Sequence, residues 1–267
     1  HKDNRADNDP NIKALLQADT PVITIFGKTW DLHVTEALNA ALEQNLEMIQ
    51  DSVAFVKAQG KTVIYDAEHF FDGYKANPEY ALRTLESSVR GGADRLVLCD
   101  TNGGTLPDFI SERVKEVKAK FNVAIGIHTH NDSELAVANS LAAIQAGATH
   151  VQGTVNGYGE RCGNANIVSI VANLVLKLGF EQSQDLTKLR EVSHYIDERA
   201  NMQPNVRAAY VSDTAFAHKG GIHVSAVNKN PKTYEHVDPA LVGNNRRVLL
   251  SDLSGRANIL AWSGVFG

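Results

Sequence analysis

The stretch VAIGIHTHNDSELAVANSLAAIQAG, residues 123–147, contains a strand signal, a polar turn and a helix signal in that order. The apolar run Val123–Ile127 predicts a buried strand, because such runs are typical of strands covered on both faces. Ser133 can cap a helix over residues 134–146, and Gly147 would end it. The stretch therefore predicts one β-strand followed by one covering helix.

The same succession of a strand signal and a helix signal recurs along the chain. Further strands are predicted at Val22–Phe26, Thr62–Tyr65, Arg95–Cys99 and Thr149–Val155. Helices are predicted at Thr35–Lys57, Pro78–Val89, Pro107–Phe121 and Asn164–Leu178. Repeated βα units predict an α/β fold with a parallel sheet, and their spacing suits either a doubly wound sheet or a (β/α)₈ barrel. Because no G-x-G-x-x-G follows a strand, dinucleotide binding is disfavoured.

The pattern changes after Gly179. An amphipathic helix is predicted over Asp185–Met202, and short segments with turn signals follow from Pro204. We therefore predict an α/β domain at residues 1–182 and a small, mostly helical subdomain at residues 183–267.

Composition narrows the classes of function. The 267 residues carry a formal net charge of -5, so no basic surplus indicates nucleic acid or an acidic membrane surface as a partner. No apolar run approaches the roughly 20 residues that span a bilayer. The polar N-terminus lacks a signal-peptide core, and two cysteines do not make a disulfide framework. These features predict a cytoplasmic protein.

Reactive side chains gather where the predicted strands end. Since the C-terminal ends of parallel strands meet on one face, and that face carries the chemistry of α/β folds, these residues are candidates for one site. They are Lys28, Glu68, His69, Asp100, Thr101, His128, His130, Asn156, Glu160 and Arg161.

Two local motifs stand out among them. His128 and His130 are separated by one strand residue, so they point to the same face and can present two imidazoles to one metal ion. Two hydrogen-bonded histidines at a strand end are the alternative. In the stretch Asn156–Asn164, three glycines permit close backbone approach to a ligand, and Asn164 lies near a predicted helix start that favours anions. A purely structural glycine turn with a solvated ion pair is the alternative there.

Histidines also occur beyond the predicted barrel, in the stretch AHKGGIHVS that ends at Ser225. A buried histidine can act as a general base near neutral pH, and this stretch could fold over the barrel mouth. A surface loop is an equal alternative. Cys162 has no evident base beside it, and Cys99 is expected in the core.

These motifs resemble the synthase branch of the metal-dependent aldolase/lyase barrels, which includes isopropylmalate, homocitrate and citramalate synthases. The branch is marked by G-I-H-T-H-N-D at residues 126–132, N-G-Y-G-E-R-C-G-N-A-N at 156–166 and H-K-G-G-I-H-V-S-A at 218–226. The stretches beginning F-G-K-T-W at residue 26, Y-D-A-E-H at 65 and Y-E-H-V-D at 234 resemble citramalate synthases in particular.

The resemblance implies a TIM barrel and a divalent metal ion (Mg, Mn or Zn) that polarises the ketone of a 2-oxoacid. It implies condensation of acetyl-CoA with pyruvate, or another 2-oxoacid, to give (R)-citramalate and CoA in isoleucine biosynthesis. Its implied residue roles are metal binding by His128, His130 and Asn164; catalysis by His223, Glu68 and Tyr234; and substrate binding by Thr101, Asn156, Glu160 and Arg161. It also implies a homodimer.

One family element is not found. The first strand of these barrels carries an R-D-G motif, which the chain lacks, and its beginning resembles the stretch after the third strand. We therefore expect about three of eight strands to be missing, two exposed sheet edges, and a chain that is poorly soluble and inactive by itself. The alternatives are a 2-isopropylmalate synthase, a lyase of the same barrel type, or an inactive fragment that binds only a metal or a partner.

Overall fold

A computed structural model describes residue 2, residues 4–181 and residues 185–249. The contacts divide these residues into two compact units, which meet in sequence at Ala165 and Asn166. The predicted domain boundary between residues 182 and 183 lies outside the described residues.

The first unit contains a parallel sheet in which the strands follow one another in chain order, β1-β2-β3-β4-β5. The strands are β1 (Val22–Lys28), β2 (Thr62–Glu68), β3 (Arg95–Asp100), β4 (Ala124–Thr129) and β5 (His150–Gln152). A strand order that follows the chain without reversing is the arrangement of a barrel wall rather than of a doubly wound sheet. All five predicted strands are confirmed, although β5 is shorter than predicted and β2 runs three residues further.

Six α-helices of this unit are described, one before β1 and the others after β1, β2, β3 and β4. They are α1 (Pro10–Gln17), α2 (Leu42–Ala58), α3 (Phe70–Ala76), α4 (Pro78–Arg90), α5 (Pro107–Lys120) and α6 (Ala136–Gln145). The cap predicted for α4 is confirmed, because the Asn77 side chain accepts a hydrogen bond from the Tyr80 N–H at 3.1 Å. The prediction that Ser133 caps α6 was wrong. The Ser133 hydroxyl donates to the Gly103 carbonyl, and the Asn131 side-chain oxygen accepts the Ala136 N–H instead.

The two faces of the sheet differ in chemistry. One face packs against the helices and is apolar, and it contributes buried side chains such as Tyr65, Leu98 and Ile127. The opposite, inner face carries the alternate residues, including Asp66, Cys99, His128 and Gln152. Cys99 is buried, as predicted. Because successive strand residues alternate between faces, the polar residues of the inner face share one surface.

The second unit is described by itself. It contains α7 (Ile167–Leu176), α8 (Leu189–Arg199), α9 (Gly221–Lys229), and the short parallel strands β6 (Ala217–His218) and β7 (Arg247–Val248). Helix α7 begins three residues after Asn164, and Asn166 caps it by accepting the Val168 N–H at 3.0 Å. The prediction that this helix starts at Asn164 was therefore wrong.

None of the described helices combines the length and the apolar character needed to cross a membrane.

Candidate active site

The two histidines of the H-x-H motif lie together at the C-terminal end of β4. His128 is the fifth residue of the strand and His130 follows its last residue, so both rings lie on the inner face. Their Nε2 atoms are 3.3 Å apart, and the ring planes are inclined at 50°. Burial, followed by the nearby His128 and Arg161, lowers the pKa of His130. The lowered pKa favours the neutral form of the His130 imidazole.

A chain of hydrogen bonds lies behind His128. Its Nδ1 is 2.9 Å from the Gln152 Oε1, and the Gln152 Nε2 donates to the Asp66 Oδ1 at 2.9 Å. Burial raises the pKa of Asp66, while the hydrogen bond from Gln152 and the nearby His128 act in the opposite direction. Sequence analysis did not select Asp66 or Gln152. Asp66 could have been selected, because side chains two residues apart in a strand point to the same face, and Asp66 lies two residues before Glu68 in β2.

The geometry around the imidazoles fits a divalent ion. Two imidazole nitrogens at about 2.0–2.1 Å from one ion stand roughly 3.0–3.4 Å apart, a range that includes the observed separation. An isolated backbone bridge pairs His130 with Asn164, and the buried Asn164 Oδ1 has no hydrogen-bond partner among the described residues. In the described part of the chain no three His, Cys, Asp or Glu side chains form a metal-binding group. Two imidazoles and one amide oxygen are thus the donors that could hold an ion.

The glycine-rich loop is closed by close backbone contacts. The Asn131 N–H donates to the Gly163 carbonyl at 2.9 Å, and the Asn164 N–H donates to the Gly157 carbonyl at 3.0 Å. A Cβ on Gly159 would lie 2.2 Å from the Asn164 side-chain nitrogen. The glycines are therefore required for the loop to pack around Asn164.

Arg161 bridges two neighbouring loops of the site. Its Nε and Nη2 donate to the two Asp132 carboxylate oxygens at 2.8 and 3.0 Å, and Nη2 also donates to the Thr101 carbonyl at 2.7 Å. The hydrogen bond from Arg161 holds the pKa of Asp132 below its usual range. Arg161 thus connects the loops after β3, β4 and β5. Glu160, beside it, has an exposed side chain, and Asn156 adopts a left-handed backbone with φ of +63°.

At the ends of β2 and β3 the predicted residues make further contacts. Glu68 forms an ion pair with Lys28 of β1, and both side chains are about one-quarter exposed (25% and 24%). The Thr101 hydroxyl accepts a hydrogen bond from the His69 N–H at 2.8 Å. The structure thus places Glu68 and Thr101 at the same end of the sheet as His128.

An aromatic cluster that sequence analysis did not identify lies beside these residues. The His33 and His69 ring centroids are 4.1 Å apart, and Trp30 stacks on His33 at 5.4 Å. Burial, followed by the charges of His69 and Lys28, lowers the pKa of His33. The signal was present in the stretch F-G-K-T-W-D-L-H-V, which places Trp30 and His33 just beyond the end of β1.

His223 and Tyr234 lie in the second unit, where their rings stack with centroids 4.2 Å apart. Tyr234 is 46% exposed, and the His223 side chain is exposed as well. Arg246 pairs with the buried Glu235 through two hydrogen bonds. The second unit therefore brings two of the three predicted catalytic residues together and engages Arg246 in a structural ion pair.

Comparison with known proteins places this geometry in a family. The sequence model of the HMGL-like family matches residues 5–196. The chain belongs to the HMGL-like family. A second model, described as homocitrate synthase post-HMGL domain-like, matches residues 210–263. The two matches cover the strand ends and the segment that carries His223 and Tyr234.

Relatives of this HMGL-like chain are close in sequence. It is 56% identical to an (R)-citramalate synthase of Aquifex aeolicus over 98% of its own length and 50% of the relative's. It is 58% identical to an (R)-citramalate synthase of Geobacter sulfurreducens over 96% of its own length and 49% of the relative's. The chain thus spans about half the length of these curated relatives.

A solved structure supports the barrel assignment. The crystal structure of Bacillus subtilis HMG-CoA lyase superimposes with a TM-score of 0.66 at 20% sequence identity, and the alignment covers 75% of this chain and 70% of that chain. The predicted TIM-barrel fold class is confirmed, because the HMGL-like chain has the parallel strands and covering helices of the barrel.

Proposed function

We propose that the protein carrying this chain condenses acetyl-CoA with pyruvate to form (R)-citramalate and CoA. Identity of 56–58% to two (R)-citramalate synthases across nearly the whole chain carries this proposal. The paired imidazoles beside an unpartnered amide oxygen support it, because this chemistry requires an electrophilic ketone held at a fixed place. We further propose that the protein is cytoplasmic and acts as a homodimer.

His128, His130 and Asn164 would hold a divalent ion in this proposal. When bound, the ion (Mg, Mn or Zn) acts as a Lewis acid on the ketone and orients the oxoacid. The two imidazoles would supply nitrogen lone pairs, and the hydrogen bond from the Asn131 N–H to the Gly163 carbonyl keeps Asn164 beside His130. The chain thus supplies a pre-formed set of donors at the end of β4.

Other residues would bind and orient the substrates. The Thr101 hydroxyl already accepts from the His69 N–H, so its own hydrogen can be donated to the oxoacid carboxylate. Glu68 forms an ion pair with Lys28 and can accept a proton or a hydrogen bond at the same end of the sheet as Thr101. Arg161, Asn156 and Glu160 belong to the loop that borders this edge. Arg161 is tied to Asp132, which suits a role in holding the loop.

Removal of a proton from the methyl group of acetyl-CoA requires a base. His223 is a candidate because histidine is the side chain that most often transfers protons in enzymes, and its stacking on Tyr234 fixes the ring orientation. Tyr234 would then position His223 and offer a phenol hydroxyl to the reacting groups.

The test is release of CoA thiol from acetyl-CoA by the full reading frame that contains this chain, with a divalent metal present. Pyruvate, 2-oxoisovalerate and 2-oxoglutarate are offered in parallel. We expect a strong preference for pyruvate that His128→Ala or His130→Ala abolishes. His194→Ala, which removes an imidazole bonded to the Val211 carbonyl, serves as the matched control and should retain activity.

Each other outcome has a definite meaning. A preference for 2-oxoisovalerate would keep the metal-assisted condensation and assign the protein as a 2-isopropylmalate synthase. No thiol release with any of the three oxoacids would reject the condensation and leave a lyase or a binding function.

A further inference from the structure

The inner face of the sheet carries a three-residue chain of hydrogen bonds that no proposed step of the reaction uses. It joins His128 on β4 to Gln152 on β5 at 2.9 Å, and Gln152 to Asp66 on β2 at 2.9 Å. We propose that Gln152 and Asp66 are positioning residues that fix the tautomer of His128, so that its Nε2 lone pair faces the ion site. This inference rests on the proposed function for the identity of that site.

The donor and acceptor chemistry of the chain permits one arrangement. The Gln152 amide turns its NH₂ group toward Asp66, because its Nε2 donates to the Asp66 carboxylate oxygen. The Gln152 carbonyl oxygen then faces His128, and it can only accept. His128 must therefore carry its proton on Nδ1, which leaves the Nε2 lone pair free. Asp66 thus determines the state of an imidazole that it does not touch.

The positions of the three residues make the arrangement specific. His128 and Gln152 are direct partners in the register of β4 and β5, so their side chains are neighbours on the inner face. Asp66 lies on β2, with β3 and β4 between it and β5, and its contact with Gln152 crosses the inner face of the sheet. Gly126 contributes no side chain to this face. The Gln152 side chain thus reaches across two strands to a half-buried carboxylate, and the contact is more than a neighbouring polar pair.

The fixed tautomer matters because His128 Nε2 is 3.3 Å from His130 Nε2. If His128 carried its proton on Nε2, that proton would occupy the space between the rings and block the lone pair. Outer partners of metal-bound histidines typically change metal affinity about 10- to 100-fold when they are removed. Loss of Gln152 should therefore weaken the site without removing a donor.

The test reads the tautomer directly in the metal-free protein. The full reading frame is labelled with ¹⁵N-histidine, and solid-state NMR distinguishes protonated from unprotonated ring nitrogens; His128 is assigned by the loss of its signals in His128→Gln. Gln152→Leu should convert His128 from the Nδ1–H form to a mixture that includes Nε2–H. Mn²⁺ titration, followed by EPR, should show the dissociation constant rising about 10- to 100-fold.

Three further variants separate positioning from a structural role. Gln152→Glu keeps an acceptor for the His128 Nδ1–H and should restore the wild-type tautomer. Asp66→Asn releases the orientation of the Gln152 amide and should produce mixed tautomers although Gln152 is unchanged. Gln145→Leu, at an exposed position of α6, should leave the His128 tautomer and the Mn²⁺ dissociation constant at their wild-type values.

The inference and the proposed function can fail separately. A His128 that remains wholly in the Nδ1–H form in both Gln152→Leu and Asp66→Asn overturns the inference, whatever the Mn²⁺ affinity. If Gln152→Leu does not fold, Asp66→Asn decides by itself on the same criterion. A wild-type protein that binds no Mn²⁺ but shows the predicted tautomer changes would remove the proposed metal site and keep the role of Gln152 and Asp66.

Discussion

Gly163 is a single residue on which the shape of the candidate site depends. It adopts φ of +89°, a conformation that L-residues with side chains rarely take. A Cβ built on it would lie 2.0 Å from the Gly157 carbonyl oxygen. That oxygen accepts the Asn164 N–H, so the collision would fall on the bond that positions Asn164.

We therefore expect Gly163→Ala to open the loop. The backbone conformation alone should cost about 1–3 kcal/mol, and the collision adds to this. Thermal unfolding of the full protein should show a lower unfolding temperature, and Mn²⁺ titration should show weaker metal binding. Gly104→Ala is the matched control, because Gly104 has nothing within 4 Å of a built Cβ. Equal behaviour of the two variants would show that the Gly157–Asn164 contact does not hold the site.

At this scale the sequence placed distant residues at one end of the sheet, but its patterns predicted specific side-chain contacts only between residues that are close along the chain. The pairing of His128 with His130 followed from the period of two in a strand. The contact of Arg161 with Asp132 spans 29 residues, and that of Gln152 with Asp66 spans 86. These contacts depend on which strands are neighbours and on their register, and a single sequence specifies neither.

Among the elements, strands were predicted more accurately than helix ends. The continuous helix predicted over Thr35–Lys57 is instead a π-helical segment, His33–Ala37, followed by α2, which starts at Leu42. Asn39 lies in the break with φ of +51°, a left-handed conformation that ends a helix and that asparagine tolerates. The apolar period continues through the break, so the pattern alone could not reveal it.

The two short strands of the second unit are held by a buried ionic cluster. Glu235, with a side chain 3% exposed, accepts from Arg246 at 2.6 and 2.5 Å and lies 3.0 Å from the His218 Nε2 of β6. Burial raises the pKa of Glu235, but the hydrogen bonds from Arg246 and His218 outweigh it, and the net effect lowers this pKa. A carboxylate with a lowered pKa stabilises the fold at pH values above its unfolded pKa, and this contribution is lost as the pH falls through the folded pKa.

Glu235→Gln should accordingly destabilise the protein at neutral pH and matter less in acid. Removing one partner of a buried ion pair typically costs about 3–5 kcal/mol. The difference in thermal unfolding temperature between Glu235→Gln and wild type should narrow as the pH falls below about 4.3, the usual glutamate pKa. Glu191→Gln removes an exposed pair with Lys188 and should have little effect at any pH. A difference that is constant from neutral pH to pH 3 would contradict this role for Glu235.

At the scale of the whole molecule, the sheet formed by the described residues has one edge that is both unpaired and apolar. In the described part of the chain β1 ends the strand order and pairs only with β2. The inner face of β1 exposes Val22 (43%) and Phe26 (68%), whereas Ile23 on its other face is buried. The alternation of apolar strands and helices was enough to predict a parallel α/β sheet, but it left a doubly wound sheet and a barrel as alternatives, and the barrel came from the resemblance. The eight-stranded count came from resemblance, because no local pattern specifies how many strands close a sheet.

An exposed strand edge with apolar side chains is a template for association with other chains. We therefore expect the 267-residue chain, expressed by itself, to form assemblies whose size increases with concentration, as light scattering after size-exclusion chromatography would show. Phe26→Gln should reduce this association, because it removes the largest apolar side chain of the edge. Leu106→Gln is the matched control, since Leu106 is equally exposed, at 65%, but precedes α5 and does not belong to an edge strand. If Leu106→Gln reduced association as much as Phe26→Gln, general surface hydrophobicity rather than the β1 edge would be responsible. A chain that remained monomeric at every concentration would show that this edge is not a contact surface.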